Sequence, residues 1–241
     1  MKGITVHIIP VLSDNYVYIV KHSPGKVFAV DPGEAGPVLD FLKNHNLKLD
    51  TIILTHHHGD HIAGCGQLIE EEGCTVYGPE KDQTRISFID KGIRDGEEIK
   101  IGSFKAQAIE TPGHTNNHLC FYNRDNAVLF AGDTLFAMGC GRIFEGTMEQ
   151  MYESIQKLKA LPDETKIYCG HEYTLTNGRF AQTVDGDNEM VNTRLIQEEQ
   201  KRNAGKPTLP STIALEKQTN PFFRAESLEE FERLRLIRDN F

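Results

Sequence analysis

No stretch of this 241-residue sequence approaches the ~18 consecutive apolar residues that a membrane span requires. No membrane partner is therefore expected. The opening residues Met1-Lys2-Gly3-Ile4-Thr5-Val6-His7 lack the apolar run and the small-residue cleavage site of an export signal, and they read as a strand from the start. Basic excess is absent too. The net formal charge is −9 at pH 7, whereas a nucleic-acid binder carries a basic footprint. Paired cysteines are missing: Cys65, Cys74, Cys120, Cys140 and Cys169 are odd in number, scattered, and form no C-x-x-C. Free thiols in a reducing cytoplasm are the expectation. There is no internal repeat and no low-complexity segment. What remains is ordinary apolar content in a chain long enough for one large domain, or a main domain with a smaller appendage.

Short apolar segments fill the first two-thirds. Thr5–Pro10, Tyr16–Lys21, Val27–Val30, Thr51–Leu54, Thr75–Tyr77, Glu98–Ile101, Phe104–Ile109, Leu119–Tyr122, Ala127–Phe130 and Lys166–Cys169 read as strands. Turn signals such as Ser23-Pro24-Gly25, Asp31-Pro32-Gly33 and Thr111-Pro112-Gly113 punctuate them. Helices are expected at Glu34–Asn44, Ile62–Glu72 and Met148–Ala160, the last with Met151, Ile155 and Leu158 at helical spacing. Past about residue 172 the strand signals fade. Asn188–Asn203 reads as a long polar helix, Lys206-Pro207-Thr208-Leu209-Pro210 breaks it, and Leu228–Ile237 reads as a last helix. The pattern predicts an α/β body followed by a small, mostly helical C-terminal region.

The densest chemistry is Thr55-His56-His57-His58-Gly59-Asp60-His61, directly after an expected strand. Neutral imidazole and carboxylate suit zinc, iron and manganese in hydrolytic sites. In extended chain, residues i and i+2 share a side. His56 and His58 can therefore reach one ion, while His57 points away, to a supporting role or simple burial. Gly59 permits a sharp turn, after which Asp60 and His61 point in a new direction where a second ion could sit; Asp60 also has a reading as a helix N-cap. Three later ligand-type residues each follow a glycine near a strand end: Gly113-His114, Gly132-Asp133 and Gly170-His171. Glycine there lets the backbone turn tightly near a crowded centre. The seven candidates His56, His58, Asp60, His61, His114, Asp133 and His171 exceed what one tetrahedral ion can use. They suit two ions ~3.5–4 Å apart, with Asp133 as candidate bridge. His118 is a candidate supporting partner; His7, His22 and His45 read as structural or exposed.

With these pieces the chain resembles the metallo-β-lactamase superfamily, and within it the glyoxalase II (hydroxyacylglutathione hydrolase) family. The matching stretches are Asp14-Asn15-Tyr16, Val30-Asp31-Pro32-Gly33, Thr55–His61, Thr111-Pro112-Gly113-His114-Thr115, Phe130–Phe136, Gly139–Gly146, Gly170–Thr174 and the basic end Arg235–Phe241. They span nearly the whole chain. The H-x-H-x-D-H run marks only the superfamily; Gly139-Cys140-Gly141-Arg142 with Phe144-Glu145-Gly146, and the basic end, narrow it to the thioester hydrolases.

The resemblance implies an αββα sandwich over residues 1–171 and a helical, substrate-binding C-terminal domain over 172–241. It implies that His56, His58 and His114 hold one divalent ion, Asp60, His61 and His171 the other, and that Asp133 bridges. Asp60 and Asp133 are thus its catalytic carboxylates. Zinc is the first expectation, with iron or manganese as alternatives. The implied reaction is hydrolysis of S-D-lactoylglutathione to D-lactate and glutathione by a metal-bridging hydroxide, in methylglyoxal detoxification, by a cytoplasmic monomer. Arg142, Tyr173, Arg235 and Arg238 take the positions of glutathione contacts; Phe144 stands where some members have tyrosine, and the stretch between Ala225 and Phe231 is shorter than in many. Arg235 and Arg238, three apart, share one helical face, and their forks suit carboxylates. They also have a reading as a solvated tail, or as partners of Glu229, Glu230 or Glu232. Other hydrolases of this fold, a mononuclear-iron persulfide dioxygenase, and a non-catalytic metal-binding module are the rival readings.

Overall fold

Tyr16 to Val20 are all buried in one strand, although a strand turns successive side chains to opposite faces. Such a strand needs cover on both sides. The computed structural model, which describes residues 3–22 and 25–241, supplies it. Met1, Lys2 and the Ser23-Pro24 part of the expected first turn lie outside the described residues. The chain divides into two compact units, Met1–Glu110 with Asn117–Gly132, and Thr111–Asn116 with Asp133–Phe241.

In the first unit, β1 (Ile4–Val11), β2 (Asn15–His22) and β3 (Lys26–Val30) pair antiparallel. They continue into parallel neighbours β4 (Thr51–Ile53), β5 (Thr75–Pro79) and β6 (Lys91–Ile93). Parallel neighbours require crossovers; α1 (Gly36–Asn44) supplies one, and α2 (Gly59–Ile62) with α3 (Cys65–Glu72) another. One sheet face sets Val17, Ile19, Val27 and Ile52 in a core with Val38 and Leu42 of α1 and Leu68 of α3. The opposite face carries Tyr18 and Phe28. They meet a second run of strands, β7 (Glu98–Ile101), β8 (Phe104–Glu110), β9 (Leu119–Asn123) and β10 (Val128–Gly132), antiparallel in the order β10-β9-β8-β7. Phe28 lies 4.6 Å from Phe104 and 6.2 Å from Phe130, centroid to centroid. These aromatic pairs hold strand layer to strand layer.

Two expectations are corrected in this unit. The helix expected over Ile62–Glu72 is two helices, α2 and α3, with the break at Ala63-Gly64. There the Gly64 amide donates to the Pro32 carbonyl at 2.9 Å. The Asp60 N-cap reading also fails: His58 occupies the N-cap position of α2, and Asp60 lies inside its first turn.

In the second unit, β11 (Leu135–Phe136) and β12 (Gly139–Cys140) form a small hairpin. Next comes α4 (Met148–Lys159), which starts in a capping box: the Thr147 hydroxyl accepts from the Gln150 amide, and the Gln150 side chain accepts from the Thr147 amide. Then follow β13 (Lys166–Cys169), α5 (Thr174–Val184), α6 (Glu189–Asn203), β14 (Ser211–Thr212, antiparallel to β13), α7 (Ile213–Thr219), α8 (Pro221–Arg224) and α9 (Leu228–Asp239). The mostly helical character expected past residue 172 is present. Phe222 anchors it, 5.9 Å from Phe180 and 5.5 Å from Phe231. Among the described residues no helix is long and apolar enough to cross a membrane.

Candidate metal centre

In the first unit Asp31 organises the ligand run. It follows β3 with φ of +51°, an uncommon conformation that Asp and Asn tolerate better than most residues. Its Oδ1 accepts the Thr55 amide at 2.8 Å, its Oδ2 accepts the Thr55 hydroxyl at 2.7 Å, and the same Oδ2 faces His61 Nδ1 at 3.1 Å. Having donated to Asp31, the Thr55 hydroxyl can only accept from His56 Nδ1, 2.9 Å away. This network assigns the proton of both imidazoles to Nδ1 and leaves Nε2 as the lone-pair donor, the arrangement of a ligating histidine with its outer partner.

The His56 ring lies 4.7 Å from that of His58 and 4.2 Å from that of His61. Asp60 Oδ2 is 3.6 Å from His61 Nε2 and accepts the Asn15 side-chain amide at 2.8 Å. His56 and His61 are buried, while His58 and Asp60 are half-buried. His57 points away as alternation requires: its ring faces Asp82 at 3.5 Å and Arg85 at 3.1 Å. His118 stacks against His56 at 5.0 Å between centroids. The other histidines are structural or exposed: His22 is buried, His7 packs on Phe41 at 4.9 Å, and His45 is exposed.

In the second unit Asp133 lies between two imidazoles. Its Oδ2 is 3.4 Å from His114 Nε2 and 3.2 Å from His171 Nε2, and all three residues are buried. Ligands on a tetrahedral ion with ~2.0–2.1 Å bonds stand ~3.3 Å apart, which matches these spacings. His114 Nδ1 faces the Arg142 carbonyl at 2.7 Å, so here too Nε2 is the lone-pair donor. The glycines before two ligands have the backbone expected of them: φ is +146° at Gly113 and +46° at Gly132, and a Cβ on Gly132 would lie 2.5 Å from Thr55 Oγ1. The donor set in each unit thus fits a divalent cation: buried imidazole Nε2 atoms with nearby carboxylates.

Tyr173 lies flat on His171, 4.6 Å away at 5°. Phe144 meets His114 edge-on at 5.2 Å and is itself 60% exposed. Arg142, Arg235 and Arg238 gather around Asp239, whose Oδ1 is 3.5 Å from Arg142 Nε and 2.9 Å from Arg235 Nη2. Burial, then the Arg235 charge, lowers the Arg238 pKa, and Arg142 adds to this. Arg235 is neither solvated nor paired with Glu229, Glu230 or Glu232. It is 4% exposed, donates to the Cys140 carbonyl at 3.0 Å, and lies 5.2 Å from the Phe222 ring centroid. Arg238, half-buried, donates to Asn177 Oδ1 at 3.2 Å, and Arg142 is exposed.

Four of the thiols offer no nucleophile. Burial pushes Cys65 and Cys169 well up and holds Cys74 and Cys140 at about 11, for Cys140 against the opposing pull of Arg235. Each is the neutral thiol near pH 7.

The matches with known proteins divide at one point in the chain. A family model described as the metallo-beta-lactamase superfamily matches residues 10–171, and one described as hydroxyacylglutathione hydrolase C-terminus matches residues 172–241. The crystal structure of ETHE1 from Myxococcus xanthus superposes with a TM-score of 0.72 at 27% identity, covering 96% of this chain and 90% of the other. The BLEG-1 B3 metallo-beta-lactamase, at 23% identity, gives a TM-score of 0.70 over 92% of this chain and 100% of the other. Fold and donors together define a metallo-β-lactamase-fold protein with a helical C-terminal region.

Sequence relatives narrow the class. The hydroxyacylglutathione hydrolase of Methylococcus capsulatus is 49% identical over 95% of this chain and 90% of its own. That of Pelagibacter ubique is 45% identical over 98% and 99%, and that of Bdellovibrio bacteriovorus 41% over 97% of each. The chain belongs to the hydroxyacylglutathione hydrolase family, whose members are thioester hydrolases.

Proposed function

We propose that this chain hydrolyses S-D-lactoylglutathione to D-lactate and glutathione, a step of methylglyoxal detoxification, on a two-metal centre. His56, His58 and His114 would hold one ion, Asp60, His61 and His171 the other, and Asp133 both, with zinc first among the metals and iron or manganese as alternatives. Such a pair, when bound, lowers the pKa of water toward ~7 and polarises the thioester carbonyl.

The chain's own residues do the rest. Asp31, Thr55 and the Arg142 carbonyl hold imidazoles in the ligating tautomer. The leaving thiolate, whose parent thiol has a pKa of ~8.5, departs with little proton assistance, so no dedicated general acid is needed. We take residues 1–171 as the catalytic region and 172–241 as the substrate-binding region. A reducing cytoplasm suits the five free, buried cysteines. A monomer with a small-molecule substrate, and neither nucleic acid nor membrane as partner, completes the reading.

One observation carries the glutathione half: three arginines, Arg142 and the α9 pair Arg235 and Arg238, crowd together in a protein of net charge −9. Like charges gather against a cost; Asp239 offsets part of it, and the two carboxylates of a glutathione thioester would offset the rest. In this reading Arg142 and Arg238 would offer donors to the substrate, Tyr173 and Phe144 would add ring contacts, and the buried Arg235 would support them. The double substitution Arg142→Ala with Arg238→Ala is expected to raise KM for S-D-lactoylglutathione by about 10-fold or more, the weight of charge-assisted hydrogen bonds, and to leave kcat within a few-fold. Steady-state kinetics checks this, and an unchanged KM would remove the arginines from the site.

A further inference from the structure

The nine-residue step from Asp133 to Arg142 runs through the β11–β12 hairpin, which pairs only Leu135 with Cys140 and Phe136 with Gly139. Its turn is awkward: Met138 sits at φ +59°, costly for a residue with a side chain. Side chains from the C-terminal helices hold the turn in place. Asn177 of α5 donates to the Ala137 carbonyl at 3.2 Å. Asn220 donates to the Gly139 carbonyl at 3.0 Å. Glu216 of α7 accepts the Met138 amide at 2.8 Å.

Glu216 is the centre of this grip. It is completely buried, and every partner is a donor: Met138 N and Asn220 Nδ2 on Oε2, Arg194 Nη2 and the Ser211 hydroxyl on Oε1. Arg194, from the helix that reads as merely polar in sequence, is 4% exposed and supplies the compensating charge at 2.8 Å. A buried carboxylate persists only where paired and fully hydrogen-bonded, and Glu216 meets both conditions. Only a carboxylate of this length accepts at both ends. Glutamine would set an –NH₂ against two donors in either orientation.

We propose that Glu216 is a positioning residue: by fixing the hairpin turn it sets where Asp133 stands relative to Arg142, and so aligns a metal-bridging carboxylate with a glutathione-binding guanidinium. The role rests on the functional reading above.

The test uses the full-length, metal-loaded chain and compares wild type, Glu216→Gln, Arg142→Ala and the double variant. Glu216→Gln is expected to lower kcat/KM about 10- to 100-fold, the scale of a small misplacement of reacting groups. Its effect should combine with Arg142→Ala to much less than the product of the single effects, because both act through one loop. Zinc affinity, measured by competition with a chelating dye, needs no turnover. It should weaken about 10- to 100-fold in Glu216→Gln, as for outer partners of metal ligands. Asn177→Asp, which loses the donor to Ala137 but keeps an acceptor for Arg238, should show the same coupling if Glu216→Gln folds poorly. Unchanged zinc affinity together with multiplicative kinetics, in either variant, would overturn the proposal, and a lowered melting temperature alone would not sustain it. A wild type that binds zinc yet leaves the thioester intact defeats the functional reading instead, and zinc affinity still decides the role of Glu216.

Discussion

Asp133→Ala is expected to fold and to lose both its metal and its turnover, with kcat down about a thousandfold or more. That scale corresponds to the several kcal/mol that metal ions contribute to a transition state. One carboxylate oxygen stands 3.4 Å from His114 Nε2 and 3.2 Å from His171 Nε2. Without it, both imidazoles lose the carboxylate they share, and Asp60 alone of the proposed ligands remains to balance two cations. The fold should persist, because removing a buried carboxylate lifts a desolvation cost that only a cation offsets. Metal content by elemental analysis, read beside the rate, checks the prediction. Asp133→Asn keeps the shape and loses the charge, and should fall between wild type and alanine in metal content. Full metal content with an unchanged rate would end the assignment of Asp133 as bridge.

Asp31→Asn should weaken zinc binding by about 10- to 100-fold, the usual cost of losing an outer partner of a ligating histidine. Turnover at limiting zinc should fall with it. Three donors converge on this carboxylate: the Thr55 amide, the Thr55 hydroxyl and His61 Nδ1. An asparagine amide must turn its –NH₂ toward at least one of them, and the His61 ring is freed to rotate or to change tautomer. Asparagine is the informative substitution because it accepts a left-handed backbone as readily as aspartate does. Residue 31 can therefore keep its φ of +51°, and the effect reports on hydrogen bonding alone. Zinc competition titration measures it. An affinity equal to wild type would show that the ligating tautomer does not depend on Asp31.

The ligand candidates are legible in sequence because each feature is local. His56 and His58 share a side through strand periodicity, Gly59 marks the turn, and Gly113 and Gly132 announce unusual backbone by their residue type. Asp31 is not legible in that way. It reads as a turn signal between a strand and a helix, and its contact with Thr55 depends on β3 and β4 being parallel neighbours, with Val30 opposite Ile53. The one sequence hint is an aspartate at the end of a strand just before the ligand strand.

The C-terminal region is half legible. Leu228–Ile237 shows its periodicity and matches α9. By contrast α5, α7 and α8 are short or carry polar residues on buried faces, such as Asn177 and Glu216, so they give no apolar stripe to read. The same cause hides the inner face of α6, where Arg194 and Glu198 are buried. The burial of Arg235 is not legible either: its residue type suggests a solvated side chain, whereas tertiary packing buries it against the Cys140 carbonyl.

Thioester cleavage itself is the most direct measurement. Metal-loaded protein mixed with S-D-lactoylglutathione should abolish the thioester absorbance and release free thiol one for one, with about two metal ions per chain. The same sample given glutathione persulfide should consume no oxygen. A protein that carries its metal, leaves the thioester absorbance unchanged, and instead takes up oxygen with the persulfide would contradict the assignment.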